Sequence, residues 1–238
     1  MRAARALVMA VCVAAFVMLI ASGPGTRLGL WPWQTGISLV KWAAYTGMAG
    51  GVGALVLIAL LAVPRWRVRP WVPVLALAYA LAAFIPPLIL LEKAKSVPPI
   101  HDITTDSFDP PAFNALMPVR KLSPNGADYG GVEVAKQQQK GYPDIKSLIV
   151  KTPPAETVQK ALDAARASGW EVVSSDAPTG RIEATDTTLW FGFKDDIVVR
   201  VRPDAAGSRV DVRSVSRVGE SDVGANAKRI REFLSRLA

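Results

Sequence analysis

The chain has 238 residues, half of them hydrophobic, and a net charge of +8. One histidine, His101, and one cysteine, Cys12, exclude an internal disulfide, a Cys/His zinc site and a paired-histidine metal site built from a single chain. The basic excess does not mark a nucleic-acid partner: part of it flanks apolar segments, and the rest alternates with acids, as in Lys194-Asp195-Asp196 and Arg209-Val210-Asp211-Val212-Arg213.

Three apolar stretches come first, at about residues 7–21, 37–63 and 71–91. A helix needs roughly 20 mostly apolar residues to cross a bilayer, which the second and third supply. The first is shorter, follows Arg2 and Arg5 and ends in Ala21-Ser22-Gly23; a retained helix is favoured over a cleaved signal peptide, and both readings stay open. Arg65, Arg67 and Arg69 crowd the loop after the second stretch, whereas the loop after the first carries only Arg27 and, at its edge, Lys41. Cationic loops stay in the cytoplasm, so the amino terminus is expected inside and everything after Leu91 outside, in the periplasm of a bacterial cell envelope. Trp31, Trp33, Trp66 and Trp71 sit where interfacial aromatic belts would place them.

Ala43, Gly47 and Gly51 recur every four residues in the second stretch, as do Ala76 with Ala80 and Ala78 with Ala82 in the third. Small residues at that spacing let helices approach closely, either within the chain or in a homodimer through the second helix. No acid or histidine lies inside the three stretches, which disfavours an ion or proton pathway. Pro86 and Pro87 fall near the outer end of the third, where a kink or stop costs little.

Residues 92–143 are rich in proline, glycine and short polar residues and read as an extended connector. Ile100, Ile103, Phe108, Phe113, Leu116 and Met117 are too apolar for a free linker and suggest that it lies across the following domain. Within it, His101, Asp102, Asp106 and Asp109 could ligate a hard cation, but the spacing matches no standard calcium loop, and turn hydrogen bonds suit the same residues better.

Residues 144–238 alternate strand and helix signals in the length of one small domain, expected outside the cytoplasm. A strand is predicted at 145–151 and a helix after Thr152-Pro153-Pro154, with Thr152 as N-cap, a stripe of Val158, Ala161, Leu162 and Ala165, and Gly169 as the stop. Strands follow at about 170–175, 180–186, 196–203 and 209–218; in the third of these Ile197, Val199 and Val201 face one way and Arg200 and Arg202 the other. A last helix begins near Ser221 or Asp222 with Val223, Ala227, Ile230, Leu234 and Leu237 as its stripe. The fold class is α+β: membrane helices, then a small antiparallel sheet with two helices on one face and its other face open to solvent or a partner. Trp190, Phe191 and Phe193 around Gly192 are expected to complete the core.

The runs Gly192-Phe193-Lys194-Asp195-Asp196-Ile197-Val198-Val199-Arg200-Val201, Val210-Asp211-Val212-Arg213-Ser214-Val215-Ser216-Arg217-Val218-Gly219 and Asp222-Val223-Gly224-Ala225-Asn226-Ala227-Lys228-Arg229-Ile230 resemble the family catalogued as domain of unknown function 1499. Tyr142-Pro143-Asp144-Ile145 and residues 101–109 extend the resemblance. It implies an envelope or membrane-associated domain and brings no catalytic residue and no cofactor with it.

The candidate site therefore comes from the residues alone. Arg213, Ser214, Ser216 and Arg217 leave the last strand, and Asp222, Asn226 and Arg229 enter the last helix shortly after, concentrating anion-binding groups at one corner. The competing reading is an internal network in which Asp195, Asp196, Asp211 or Asp222 pairs with Arg200, Arg213, Arg217 or Arg229, with Asp195, Asp196, Arg200 and Asp211 in structural ion pairs. The function expected is a non-catalytic, membrane-anchored binding or accessory protein, with the lipid bilayer and an anionic lipid, polymer or envelope protein as partners and no nucleic acid. The alternative is a hydrolase or transferase using the Asp/Arg/Ser corner on an anionic substrate; Ser without a usable base makes it the weaker reading.

Overall fold

The computed structural model describes residues 2–62 and 70–238; the arginine-rich loop with Arg65, Trp66, Arg67 and Arg69 lies outside them. Contacts divide the chain into two compact units, residues 1–93 with 189–192, and residues 94–188 with 193–238.

In the first unit three helices are long and apolar enough to span a membrane: α1 (Arg2–Arg27), α2 (Trp33–Ala59, prolonged by a 3-10 turn at Leu60–Ala62) and α3 (Trp71–Ser96). This is a membrane protein. Both α1 and α3 run further than their apolar cores suggest. Pro24 lies inside α1, and Pro86 and Pro87 lie inside α3 rather than at its end, because a proline in an apolar helix removes only a local backbone bond that neighbours can compensate. The glycine stripe of α2 packs within the chain. A Cβ added at Gly47 would lie 3.1 Å from Ala80 O and from Ala83 Cβ, and one at Gly51 3.5 Å from Ala80 Cβ, while one at Gly50 would lie 2.7 Å from Cys12 Sγ. Cys12 is thus a small apolar contact, clustered with Ala54, Ala76 and Ala80. Leu189–Gly192 also belong to this unit: the Trp190 ring closes over Gly23, Phe191 approaches Gly36, and Arg27 donates to Leu189 O. Trp190 and Phe191 therefore do not complete the core of the sheet domain, contrary to the sequence expectation; they pack within the membrane unit, and neither belongs to the apolar cluster of the sheet.

The second unit is an α+β domain whose described strands form one antiparallel sheet in the order β1 (Asp102–Thr104), β6 (Gly207–Ser216), β5 (Lys194–Asp204), β4 (Arg181–Thr187), β3 (Glu171–Asp176). A further short strand, β2 (Leu148–Val150), also pairs with β6, beyond the stretch that β1 covers. Two helices cover one face, α6 (Pro154–Ala167) and α7 (Ala225–Ser235). Their apolar stripes meet Ile182, Ile197, Val199, Val201, Val210 and Val212, and Trp170 stacks on Phe233 at 4.9 Å. Gly169 at φ +78° ends α6, as its position predicts. The start differs from expectation: Pro153 is the N-cap, and Thr152 Oγ1 instead bonds Thr157 Oγ1 at 2.7 Å, because the second proline fits the first helical position. The last helix begins only at Ala225, with Gly224 rather than Ser221 or Asp222 as its N-cap; the Asp222 carboxylate, two residues earlier, accepts the Gly224 N–H at 2.8 Å and the Asn226 N–H at 2.6 Å.

The stretch read as an extended connector is part of this domain. It supplies β1, α4 (Met117–Leu122) and α5 (Gly131–Gly141), and it covers the sheet face expected to be open. Phe113 and Leu116 pack on Val198 and Val215, with Met117 beside them. Glu183, fully buried, accepts the backbone N–H groups of Asn114 (2.7 Å) and Leu116 (2.8 Å). The physical reason is the period-2 pattern itself: the outward residues of β4, β5 and β6 are mostly charged, so this face needs a polar cover with its own donors and acceptors rather than a third apolar layer.

Candidate functional site

The covered face carries a band of guanidinium–carboxylate pairs set by strand register. On β5, Asp196, Val198, Arg200 and Arg202 alternate toward it; on β6, Arg209, Asp211, Arg213 and Val215 do the same, and Arg217 follows just past the strand's end. At one end Arg120, 0 % exposed, donates to Asp196 Oδ2 at 3.4 Å and Val215 O at 3.2 Å, and Arg217 reaches the same carboxylate at 2.8 Å. Burial pulls the Arg120 guanidinium below its ordinary value, and Asp196 opposes the shift. In the middle Arg213 forms a two-pronged pair with Asp102 (2.9 and 2.7 Å) and lies under the rings of Phe113 and Tyr129. Burial, with Asp102 adding to it, pushes the Tyr129 phenol up to about 12, so it stays protonated.

At the other end Arg200, Arg202 and Arg209 converge on Asp106, Asp109 and Asp211. Asp106 Oδ2 accepts from all three, at 3.3, 3.3 and 3.0 Å. Asp109 Oδ2 accepts from Arg200 (3.0 Å) and Arg202 (2.9 Å). Asp211, fully buried, accepts from Ser147 (2.6 Å), Arg200 (3.1 Å), Arg202 (2.8 Å) and Arg209 (3.2 Å). Burial alone would raise the Asp211 carboxyl, but these donors hold it below the ordinary carboxylate value.

Beside this cluster runs a groove of about 830 Å³ between residues 104–110, α5 and the 142–146 segment. Phe108, Pro110, Val132 and Ile145 give it apolar walls. Lys136, Lys146 and Arg209 line it with one carboxylate, Asp106; Arg209 is itself held by Asp106 and Asp211, and Lys136 pairs with Glu133 at 2.9 Å on the exposed surface. Its floor is fixed by Gln138, 5 % exposed, whose side chain accepts the Thr104 N–H at 2.9 Å and donates to Thr104 O at 2.7 Å, completing the outer edge of β1 as a strand would. Tyr129 also lines the groove, and its buried hydroxyl has no partner among the described residues.

The model of the family described as Protein of unknown function (DUF1499) matches residues 102–237, more than half of the chain. The chain belongs to this family. No curated protein matches the chain. The DUF1499 match opens at Asp102, the first residue of β1, so it takes in both layers on the sheet and every residue of the groove and the arginine cluster.

Within the DUF1499 domain the residues of the sequence-derived corner fall on two sides of the sheet. Ser214, Ser216, Asn226 and Arg229 come together on the helical side: Ser214 Oγ donates to Asn226 Oδ1 (2.7 Å), Asn226 Nδ2 donates to Ser216 Oγ (3.1 Å), and Arg229 donates to Ser214 Oγ (3.0 Å), Asp186 (2.8 Å) and Asp195 (2.6 Å). Asp222 precedes α7 beside them and accepts the Asn226 N–H, its carboxyl raised by burial against the opposing backbone donors. Arg213 and Arg217 face the other way, toward Asp102 and Asp196. The corner is therefore a closed internal network, since each guanidinium already holds a carboxylate of the chain. Asp195, Asp196, Arg200 and Asp211 all sit in ion pairs. The four metal candidates do not converge: Asp102 meets Arg213, Asp106 and Asp109 meet the arginine cluster, and His101 Nδ1 lies 3.3 Å from Glu220 O.

Sequence reasoning did not select Arg120, Arg202, Arg209, Tyr129, Gln138 or Lys146. For Arg120 a signal existed: Phe113, Leu116, Met117 and Arg120 follow helical three-four spacing, which puts the arginine on the inward face. Gln138 carried no such signal, because its partner is a backbone far away in sequence.

Proposed function

We propose that the chain is a multi-pass protein of the cytoplasmic membrane of a bacterium, amino terminus inside and DUF1499 domain in the periplasm, acting as a non-catalytic binding or accessory protein for an anionic partner. The observation that carries this reading is the groove beside β1, where apolar walls stand open beside Lys146, Lys136, whose pair with Glu133 is solvent-exposed, and Arg209, which is shared with Asp106 and Asp211. Positive residues and exposed apolar surface together recognise a partner with both characters. The orientation rests on the arginines at 65, 67 and 69, set against a first loop with few cations. Hydrolysis or group transfer at the Asp/Arg/Ser corner has less support, because Ser214 donates to an amide oxygen and the nearby carboxylates hold guanidiniums.

Native mass spectrometry of the full-length chain, released from its own membrane in mild detergent, tests this. A discrete additional mass, lipid, glycan or protein, is the expected result. A bare chain at every detergent concentration, with the domain still folded, counts against a binding role.

A further inference from the structure

Phe108 is 101 % exposed, yet the loop that carries it is tied down by the carboxylates of Asp106 and Asp109. Its own N–H and that of Asp109 donate to Asp106 Oδ1, at 3.2 and 3.0 Å, while Asp106 Oδ2 and Asp109 Oδ2 are clamped by Arg200, Arg202 and Arg209. An aromatic ring left in water by a floppy loop carries no message; one held there by two carboxylates and three guanidiniums is pre-organised for contact. Phe108 stands on the rim of the groove, with Val132, 68 % exposed, also lining it and Lys136, Lys146 and Arg209 among the other lining residues.

We propose that this groove takes one anionic membrane amphiphile, a phospholipid whose acyl chain lies against Phe108 and Val132 while its phosphate meets Lys146, Arg209 and Lys136. This inference rests on the binding role proposed above and names the ligand class. Three observations favour a lipid over the other anionic partners. The groove's volume, about 830 Å³, is that of a site for one small molecule rather than a flat protein interface. A polysaccharide would need many amide and carboxylate groups facing its hydroxyls, whereas of the two side-chain amides lining the groove, Gln138 and Gln139, the first is engaged by Thr104, and Asp106 is held by arginines. The domain is also tethered to a bilayer by a short connection, since α3 ends at Ser96 and β1 starts at Asp102, so membrane amphiphiles are presented to it at high effective concentration.

The test places the photo-crosslinker p-benzoylphenylalanine at position 108 of the full-length chain in its native membrane. After irradiation, the peptide carrying residue 108 is weighed. The expected product is an adduct with an intact anionic phospholipid, absent when the crosslinker replaces Leu122, which is 88 % exposed on α4 and does not line the groove. Combining Lys136→Glu and Lys146→Glu, both at exposed positions, lowers the yield at least about tenfold while the thermal transition stays in place; Lys146→Gln alone gives a smaller loss should the double variant fold poorly. Lipid adducts that mirror the bulk membrane composition, or that ignore the lysine changes, reflect mere proximity to the bilayer and overturn the proposal. A protein or glycan adduct overturns the lipid assignment and leaves the binding role standing. No adduct from a folded chain overturns both.

Discussion

Asp211 shows how a single carboxylate can set the electrostatics of a whole surface. It is fully buried between three arginines and Ser147, and its pKa is depressed even though burial acts the other way. Replacing it by asparagine keeps the shape but leaves Arg200, Arg202 and Arg209 as neighbouring like charges with one fewer counter-ion. Breaking one side of a buried pair costs about 3–5 kcal/mol. For Asp211→Asn we expect a fall in the domain's melting temperature on the order of 10 °C. The sign with pH follows from the direction of the shift. A carboxyl held below its unfolded value contributes stability that is complete above about pH 4 and is lost as pH falls through the lower folded value. The wild-type domain should therefore lose stability below about pH 4, and the variant should lose less over the same range. Melting curves between pH 2 and 7 that run parallel for the two chains would remove Asp211 from this role.

At the scale of elements, the domain is a sheet whose edge is finished by a side chain. Gln138 on α5 bonds both backbone groups of Thr104, so helix and strand depend on each other across 34 residues. Gln138→Ala leaves a buried N–H and a buried C=O without partners, at a cost of about 1–3 kcal/mol. The expected signature is local: faster hydrogen exchange at the Thr104 amide, with little change at the amides of β4 and β5. Uniform acceleration throughout the sheet, or none at Thr104, would show that α5 does not secure this edge. The same contact explains what could be read in advance. The strands β3 to β6 and the helices α6 and α7 announce themselves by period-2 and three-four patterns, because each buries an apolar side against one core. The pairing of Arg200 with Asp211 lies on adjacent strands and follows from their register. By contrast, β1, α4 and α5 are short, polar and rich in turn residues, and they exist because β6, Glu183 and Thr104 supply partners. Asp106 likewise reads as turn chemistry, and its Oδ1 does bond the N–H groups of residues 108 and 109. That its other oxygen gathers three arginines from nearly 100 residues away has no local trace.

For the whole molecule, the decisive question is which side of the membrane the DUF1499 domain occupies, since that fixes which lipids and proteins it can meet. Glycine and alanine stripes hold α2 against α1 and α3 within the chain, so the three helices form a common anchor. If all three helices span the bilayer, the two ends of the chain lie on opposite faces, and the proposed orientation puts the loop with the arginines at 65, 67 and 69 in the cytoplasm. Were α1 cleaved as a signal peptide, the same loop would argue for the same orientation of α2 and α3, so the proposed placement of the domain does not depend on the fate of α1. The single native cysteine, Cys12, is buried among helices and gives a quiet background for thiol labelling. We expect a cysteine introduced by Ser235→Cys, at the exposed end of α7, to react in intact cells with a maleimide that crosses the outer but not the inner membrane. A cysteine introduced by Arg67→Cys should react only after the inner membrane is opened. The opposite pattern would turn the domain to the cytoplasm and invert the charge argument. Because reversed topology exposes the groove to a different leaflet and a different set of proteins, it would also change which amphiphile Phe108 and its lysines could reach.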